Sequence, residues 1–444
     1  MFPRVFVIAT TAAIFATGCS STAPPSEESL AATPAMKQAR VRWWRELGDS
    51  SLNNDIQSAF SNNPDLKSVA LRIDQAEATA ASARAAMLPG LNLGFGYREG
   101  RKREVDYGPY SLAPWEMGGI LSWEIDITGK LRAARRATDA KTAAAIWDYQ
   151  SARLLLASRI AATRLNLYRF NAEIASLEES LSASRDTLST LIERNTAGLI
   201  ASSALSNQRA ENEKLKRLQL DLTRLRDLTI VQLRTLRGGS QPGDSSRDSF
   251  PSLGAAPAKP LNQILALHPA LLAAGAKVRA AFEMEQAARL DLLPSFKFNA
   301  LASGANRSLT DRYRTWIAEI GPSLDIPIYD PARLAAVKSR KAQRAAAAAG
   351  YRSAVLKILE EIDTARINFQ SRRAQLAMVR REVSEIKITR DYALEQFEAG
   401  ITSQIEYLDA ERRWLEAKRS AITLQQATLN SRLDLVKATG GGLL

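Results

Sequence analysis

The chain has 444 residues and a mass of 48.6 kDa, with 45% hydrophobic and 24% charged residues, enough for two or three ordinary domains. It carries one His and one Cys, which argues against a His/Cys metal site, a Ser-His-Asp triad and a disulfide framework. A formal charge of +13 and a pI near 9.9 would suggest nucleic acid, but an export signal at the N-terminus removes that partner.

That signal occupies residues 1–18: Arg4, an apolar run from Val5 to Ala16, then small residues. The run is too short to span a bilayer core of ~30 Å as a helix. Ala16-Thr17-Gly18-Cys19 follows and resembles a bacterial lipobox, although that motif favours Leu where Ala16 stands. The resemblance implies a lipidated Cys19, and Ser20 after it implies sorting to the outer membrane. A plain signal peptide is the alternative. Residues 19–61 are then an anchored stalk and an equatorial segment, in which Trp43 and Trp44 are expected to pack on the helices.

The rest of the chain is written twice. Asn63-Pro64-Asp65-Leu66 recurs as His268-Pro269-Ala270-Leu271, an offset of 205. Leu88-Pro89 matches Leu293-Pro294 at the same offset, and Ala197-Gly198 matches Ala399-Gly400 at 202. Gly238-Gly239 matches Gly440-Gly441, so the repeats run over 62–239 and 267–441, with a linker at 240–266.

Each repeat opens with an alanine-rich helix, 65–87 or 270–292, closed by Leu-Pro. Two runs of period two follow, expected as strands at 91–98 and 117–127 and again at 295–303 and 315–328. Their length suits tilted membrane strands, but a half-buried soluble hairpin would alternate in the same way. Trp115, Trp123 and Trp316 lie in or beside these runs, as interfacial aromatics or as core. Stretches without Gly or Pro, from Lys130 to Ala197, from Tyr351 to Ala399 and over 199–237 and 401–439, then support helices at 130–196 and 200–237, and at 332–398 and 402–438. Phe170, Ile174, Leu177, Leu181, Ser184, Leu188 and Leu191 step by four and three, and Leu215, Leu218, Leu222 and Leu225 answer them, as in an antiparallel coiled coil. Gly198 and Gly400 mark the turns at the hairpin tips. The expected fold is therefore an α+β membrane protein, a duplicated half-molecule with two strands and one long helical hairpin per half. Four strands cannot close a barrel, and an open sheet edge cannot lie in lipid, so membrane strands require several chains to share one barrel.

The duplication, the Asn-Pro-Asp-Leu and Leu-Pro helix ends, the short strand pairs and residues 399–411 (Ala-Gly-Ile-Thr-Ser-Gln-Ile-Glu-Tyr-Leu-Asp-Ala-Glu) resemble the TolC/OprM outer-membrane efflux family, in its lipoprotein branch. The resemblance implies a homotrimer closing a 12-stranded β-barrel on a periplasmic α-barrel. It also implies two partners, a periplasmic adaptor and an inner-membrane pump of the resistance-nodulation-division type. Glu406 and Asp409 stand where the family carries its periplasmic gate carboxylates, while Ala204 and Asn207 hold the matching places in the first repeat. Simple pairing of those carboxylates with Arg412 and Arg413 is the competing reading. Phe397 and Thr402 stand where some members carry a Tyr–Arg latch, so that latch is missing.

No cofactor beyond the lipid is expected, and no enzyme activity. Gly94-Phe95-Gly96 lacks the third glycine of a dinucleotide loop, and His268 reads as a helix-start residue paired with Asn63. The leading function is an outer-membrane exit duct for small molecules. A duct for secreted proteins and a pore-less periplasmic coiled-coil lipoprotein are the alternatives.

Overall fold

A computed structural model of the chain describes residues 43–97, 101–104, 108–111, 115–242, 247, 249–251, 260–306 and 315–441. Cys19 and its stalk lie outside these residues. In order they form a 3₁₀ turn (Trp43–Leu47), α1 (Ser50–Asn62), α2 (Pro64–Ala85), β1 (Gly90–Tyr97), β2 (Arg101–Glu104), β3 (Gly108–Ser111) and β4 (Trp115–Ile125). The first long hairpin follows, α3 (Lys130–Thr196) and α4 (Ser202–Leu236). The second repeat has α5 (Leu261–Leu267), α6 (Pro269–Leu290), β5 (Ser295–Asn306), β6 (Thr315–Asp325), α7 (Pro331–Glu398) and α8 (Gln404–Ala438).

β1, β4, β5 and β6 form one antiparallel sheet in that order, and β2 pairs with β3 as a separate small hairpin. Three details differ from the expectation. β2 and β3 occupy what reads as a polar loop. β4 and β6 stop at Ile125 and Asp325, short of the expected 127 and 328. After β4 the Asp126 carboxylate takes the amides of Leu131 and Arg132 and starts α3, and after β6 Pro327 has no amide for a ladder. The end of the expected linker holds the helix α5.

At 1.5 Å per residue, α3 and α7, with 67 and 68 residues, each extend ~100 Å. α3 and α4 pack through Phe170, Ile174, Leu177 and Leu181 against Leu215 and Leu222, with Leu218 and Leu225 beside them. The seam turns polar one step later, where Gln208 donates to the Ser184 hydroxyl (2.7 Å) and Ser184 meets Asn212. A polar layer of this kind fixes register at some cost in stability. α6 lies against both α3 and α7, tied by Arg136–Glu283 (2.9 Å), Lys277–Asp148 (2.9 Å) and Arg344–Glu285 (3.2 Å).

The main core lies at the equator. Trp43, Trp44, Leu52, Ile56 and Ala59 pack on Leu154, Ala157, Ile160 and Leu165 of α3 and on Leu429, Leu433 and Val436 of α8. A buried polar network pins the same segment. Arg164 pairs with Asp55 (2.5 Å), Arg237 takes the other Asp55 oxygen (2.9 Å), and the Tyr168 hydroxyl donates to Asp49. Asp49 also caps α1 through the Leu52 amide.

Each repeat closes on itself there. Asn63 caps α2 through the Leu66 amide and donates to the Leu236 carbonyl at the end of α4 (2.9 Å each). His268 caps α6 by accepting the Ala270 amide on Nδ1 (3.3 Å), and lies beside Ala438 and Gly440 at the end of α8. Gly238 and Gly441 have positive φ, and a Cβ on them would fall 2.2 Å from the Asn62 carbonyl and from Leu154 respectively.

Candidate functional site

Register decides what the sheet can do. Leu91, Leu93, Phe95 and Tyr97 of β1 face Leu121, Gly119, Met117 and Trp115 of β4. The same β4 face continues through Ala302, Ala300, Phe298 and Phe296 of β5 to Ala318, Ile320, Pro322 and Leu324 of β6. Cross-strand partners share a face, so one side of the sheet is apolar from edge to edge. Among the described residues no other part of the chain covers it: Leu93 is 82% exposed, Ile320 75% and Trp316 73%. The opposite side carries Asn92, Glu116, Ser122, Glu124, Lys297, Asn299, Glu319 and Ser323 among small residues, with Ile120, Leu301 and Ile317 as its large apolar members. A soluble hairpin would bury the apolar side against its own helices, which here lie beyond one end of the sheet.

Trp115, Trp123 and Trp316 all lie on the apolar side. Trp115 stacks on Phe95 and meets Tyr97 edge-on at the far end, and Trp316 lies near the same end. Trp123, at the helix end, donates its indole N–H to the Met87 carbonyl (2.9 Å). Eight residues separate Trp115 from Trp123, ~27 Å along a strand. The polar groups at the helix end are paired in a junction across the two repeats. Lys130 bridges Glu124 (2.7 Å) and Asp291 (3.3 Å), and Arg333 reaches Asp291, Asp325 and Asp330.

At the other end of the molecule the hairpins turn at Gly198 and Gly400, with φ of 72° and 74°. Leu199 donates to the Arg194 carbonyl and Ile401 to the Gln396 carbonyl, closing each helix with a left-handed glycine. Ser403 caps α8 through the Glu406 amide, and Leu199, Ile401 and Ile405 stand exposed. Glu406 and Asp409 lie together on α8, lining a groove with Thr389, Tyr392 and Gln396 of α7. Their surroundings differ. Asp409 is paired with Arg412 (2.6 Å) and Arg413 (2.7 Å), and the Arg412 hydrogen bond, then the charge of Arg413, hold its carboxyl below the usual range. Glu406 is exposed and makes no ion pair among the described residues. Phe397 is buried and stacks on Tyr407 at 5.6 Å, with Leu191 beside them, so an apolar contact fills the place of the missing latch.

No local pattern of residues marks Glu411. With its side chain only 16% exposed, it lies beside Tyr407 and 3.7 Å from Arg390, whose guanidinium covers the Trp414 ring. Burial raises its carboxyl above the usual range. Among the described residues no His, Cys, Asp and Glu group could hold a metal ion, and no single helix is long and apolar enough to cross a membrane.

The family model described as "Outer membrane efflux protein" matches residues 56–239 and 261–441, both repeats in full register. The chain belongs to that family. Among curated relatives of outer membrane efflux proteins, the pyoverdine export outer membrane protein OpmQ of Pseudomonas aeruginosa is 26% identical over 96% of this chain and 94% of its own. The probable outer membrane lipoprotein SilC of Salmonella typhimurium is 24% identical over 96% of each. The solved channel OprN superposes with a TM-score of 0.82 at 20% identity, covering 96% of this chain and 98% of that one. CusC superposes with 0.81 at 21%, covering 94% and 99%. The chain is therefore an outer-membrane efflux channel, with the duplicated fold of that family, and the family is not one of enzymes.

Proposed function

We propose that three copies of this chain close a common barrel of twelve strands, four from each, and conduct small molecules passively from the periplasmic end to the exterior. The observation that carries this reading is the sheet: one side apolar except for Asn306 at its far end and uncovered among the described residues, two edges at β1 and β6 unpaired among those residues, and an opposite side bearing the charged and amide groups that would line a lumen. Lipid can face the first, neighbouring copies satisfy the second, and water fills the third. The spacing of Trp115 and Trp316 from Trp123 suits aromatic girdles on a band ~25 Å tall. This chain has no nucleotide-binding loop, so a partner supplies the energy; the family resemblance supports an inner-membrane pump of the resistance-nodulation-division type, reached through a periplasmic adaptor. A lipid on Cys19 anchors the N-terminus to the outer membrane.

At the tip, Glu406 sets the charge of the periplasmic gate. Three copies place its carboxylates in a ring that draws cations and repels anions. Asp409, held by Arg412 and Arg413, adds little net charge and instead fixes the first turns of α8. Single-channel recording in planar bilayers tests this. Wild type should carry small cation-preferring currents, and Glu406→Ala should lose more of that preference than Asp409→Ala. Equal currents from wild type and both variants would remove the gate from α8, and no current from folded protein would refute the duct.

A further inference from the structure

Between α3, α4 and α8, just above the tip, lies a cavity of about 100 Å³ that the conduction pathway does not use. It is bounded along the helices by two bridges between the hairpins. Gln404 donates to Gln208 (3.1 Å) on the side of the tip, and Lys418 pairs with Glu179 (2.5 Å) on the side of the equator. Its walls are apolar along Leu215, Leu218 and Leu415.

Three of its polar groups have no hydrogen-bond partner. Both oxygens of Glu411 are shut off from solvent and accept no hydrogen bond. The Ser180 hydroxyl, on a residue 3% exposed, is likewise unsatisfied, as is the Nε of Arg419. Buried polar atoms in folded proteins are nearly always satisfied, so three orphans on one cavity call for an occupant.

The cations nearby do not fill that need. Arg390 approaches Glu411 only to 3.7 Å and is held by Asp391 at 3.0 Å and by the Trp414 ring. Lys214 is bonded to Glu211, and Arg412 to Asp409. Arg419 reaches Glu173, and Lys418 is taken by Glu179.

We propose that this cavity binds a short aliphatic ammonium ion, with its head on Glu411 and its carbon arm along Leu215, Leu218 and Leu415. A carboxylate without donors selects a cation with N–H groups over an anion or a neutral alcohol. A divalent metal would need six or more oxygen ligands, and among the described residues no His, Cys, Asp and Glu group could hold one. The volume admits an arm of about four carbons. Glu411 and Arg419 stand ~12 Å apart along α8, so the arm runs toward Ser180 and Arg419, where a hydroxyl or carbonyl on a longer amine would be received. The site lies on the shank of the hairpins and is independent of the Glu406 gate.

The test is titration calorimetry on the full-length channel in nanodiscs with n-butylammonium, n-butanol and butanoate. The ammonium ion should bind saturably, at one site per protomer, with a Kd of ~1 mM, as expected for so few atoms. The alcohol and the acid should bind at least tenfold more weakly. Glu411→Gln should weaken the ammonium ion tenfold or more. Leu218→Asn, which puts an amide on the wall that the carbon arm rests on, should weaken it by a few fold and serves if the Gln variant does not assemble. Asp186→Asn, on the exposed face of α3 at a similar level, should leave binding unchanged. Absence of saturable binding would mean a hydrated void only and overturn the proposal. So would equal binding of n-butanol, wild-type binding by both cavity variants, or equal weakening by Asp186→Asn.

Discussion

The duplication supplies its own control for one buried titratable group. Asn63 and His268 do the same work in the two repeats, but only His268 changes charge. Its imidazole is 6% exposed, and burial, opposed only by the Ala438 carbonyl, pushes its pKa down from 6.5 to about 4. The neutral ring is the form that accepts the Ala270 amide on Nδ1; protonation would set a donor against that donor, at a helix N-terminus that repels positive charge. A pKa lowered by folding means that the unfolded chain binds more protons between pH 4 and 6.5. Stability from the neutral ring is then fully present above pH 6.5 and is lost as pH falls toward 4. The loss is about 3 kcal/mol per protomer over that window. His268→Asn should remove this pH dependence while keeping the cap, since Asn63 shows that an amide both caps the helix and reaches the facing carbonyl. Denaturant unfolding of wild type and variant, followed by helical circular dichroism from pH 7.5 to 4, measures the difference. The curves should nearly coincide at pH 7.5 and separate as pH falls, with the variant more stable. Parallel curves across the range would refute the reasoning, because they would require a folded-state pKa near the unfolded one.

Other outcomes follow from the fold. Asp55→Asn leaves Arg164 and Arg237 without their buried counter-charge and should destabilise by ~3–5 kcal/mol in the same unfolding assay, whereas wild-type stability would show that the pairs are open to water. Gly238→Ala and Gly441→Ala should each lower the thermal midpoint well beyond the ~1 kcal/mol of a helix-interior swap, since each adds a clash to a left-handed backbone. Leu93→Arg, on the apolar side of β1, should cost ~2–4 kcal/mol and reduce heat-modifiable trimer in outer membranes, while Asn92→Arg on the polar side should assemble. Equal assembly of those two would invert or abolish the assignment of faces.

Much of the architecture was legible because it is periodic or repeated. Alternation in residues 91–97 placed one face of β1, and the Leu and Phe steps of α3 and α4 placed their seam. The aligned residues Asn63 and His268 marked a helix start in each repeat, while the closure of each repeat on them appeared only in the structure. What stayed hidden lacks any local period. Asp55 and Arg164 are 109 residues apart and meet only because α1 docks across α3. Glu411 reads as one more surface acid on α8 until Arg390, Tyr407 and Trp414 close around it. At the hairpin tip, Glu406 and Asp409 look alike in sequence, and only side-chain geometry separates the exposed one from the one held by Arg412 and Arg413. The β2–β3 hairpin was hidden because Arg101–Glu104 carries no apolar alternation.

The self-closing repeats also bear on connectivity. Because α4 returns to the start of α2, and α8 to the start of α6, each repeat begins and ends at nearly the same point. The two are held to each other by α6 wedged between α3 and α7, by the shared sheet and by the bridges from α8 to α3, none of which runs through the linker. The peptide between residues 240 and 260 adds contacts of its own, with Arg247 accepting from Asn171 and Phe250 packing on the equatorial core, but the docking of the two repeats does not depend on its continuity. A protease cut there should leave two fragments that stay together as one molecule, and separately expressed halves should find each other by the same surfaces.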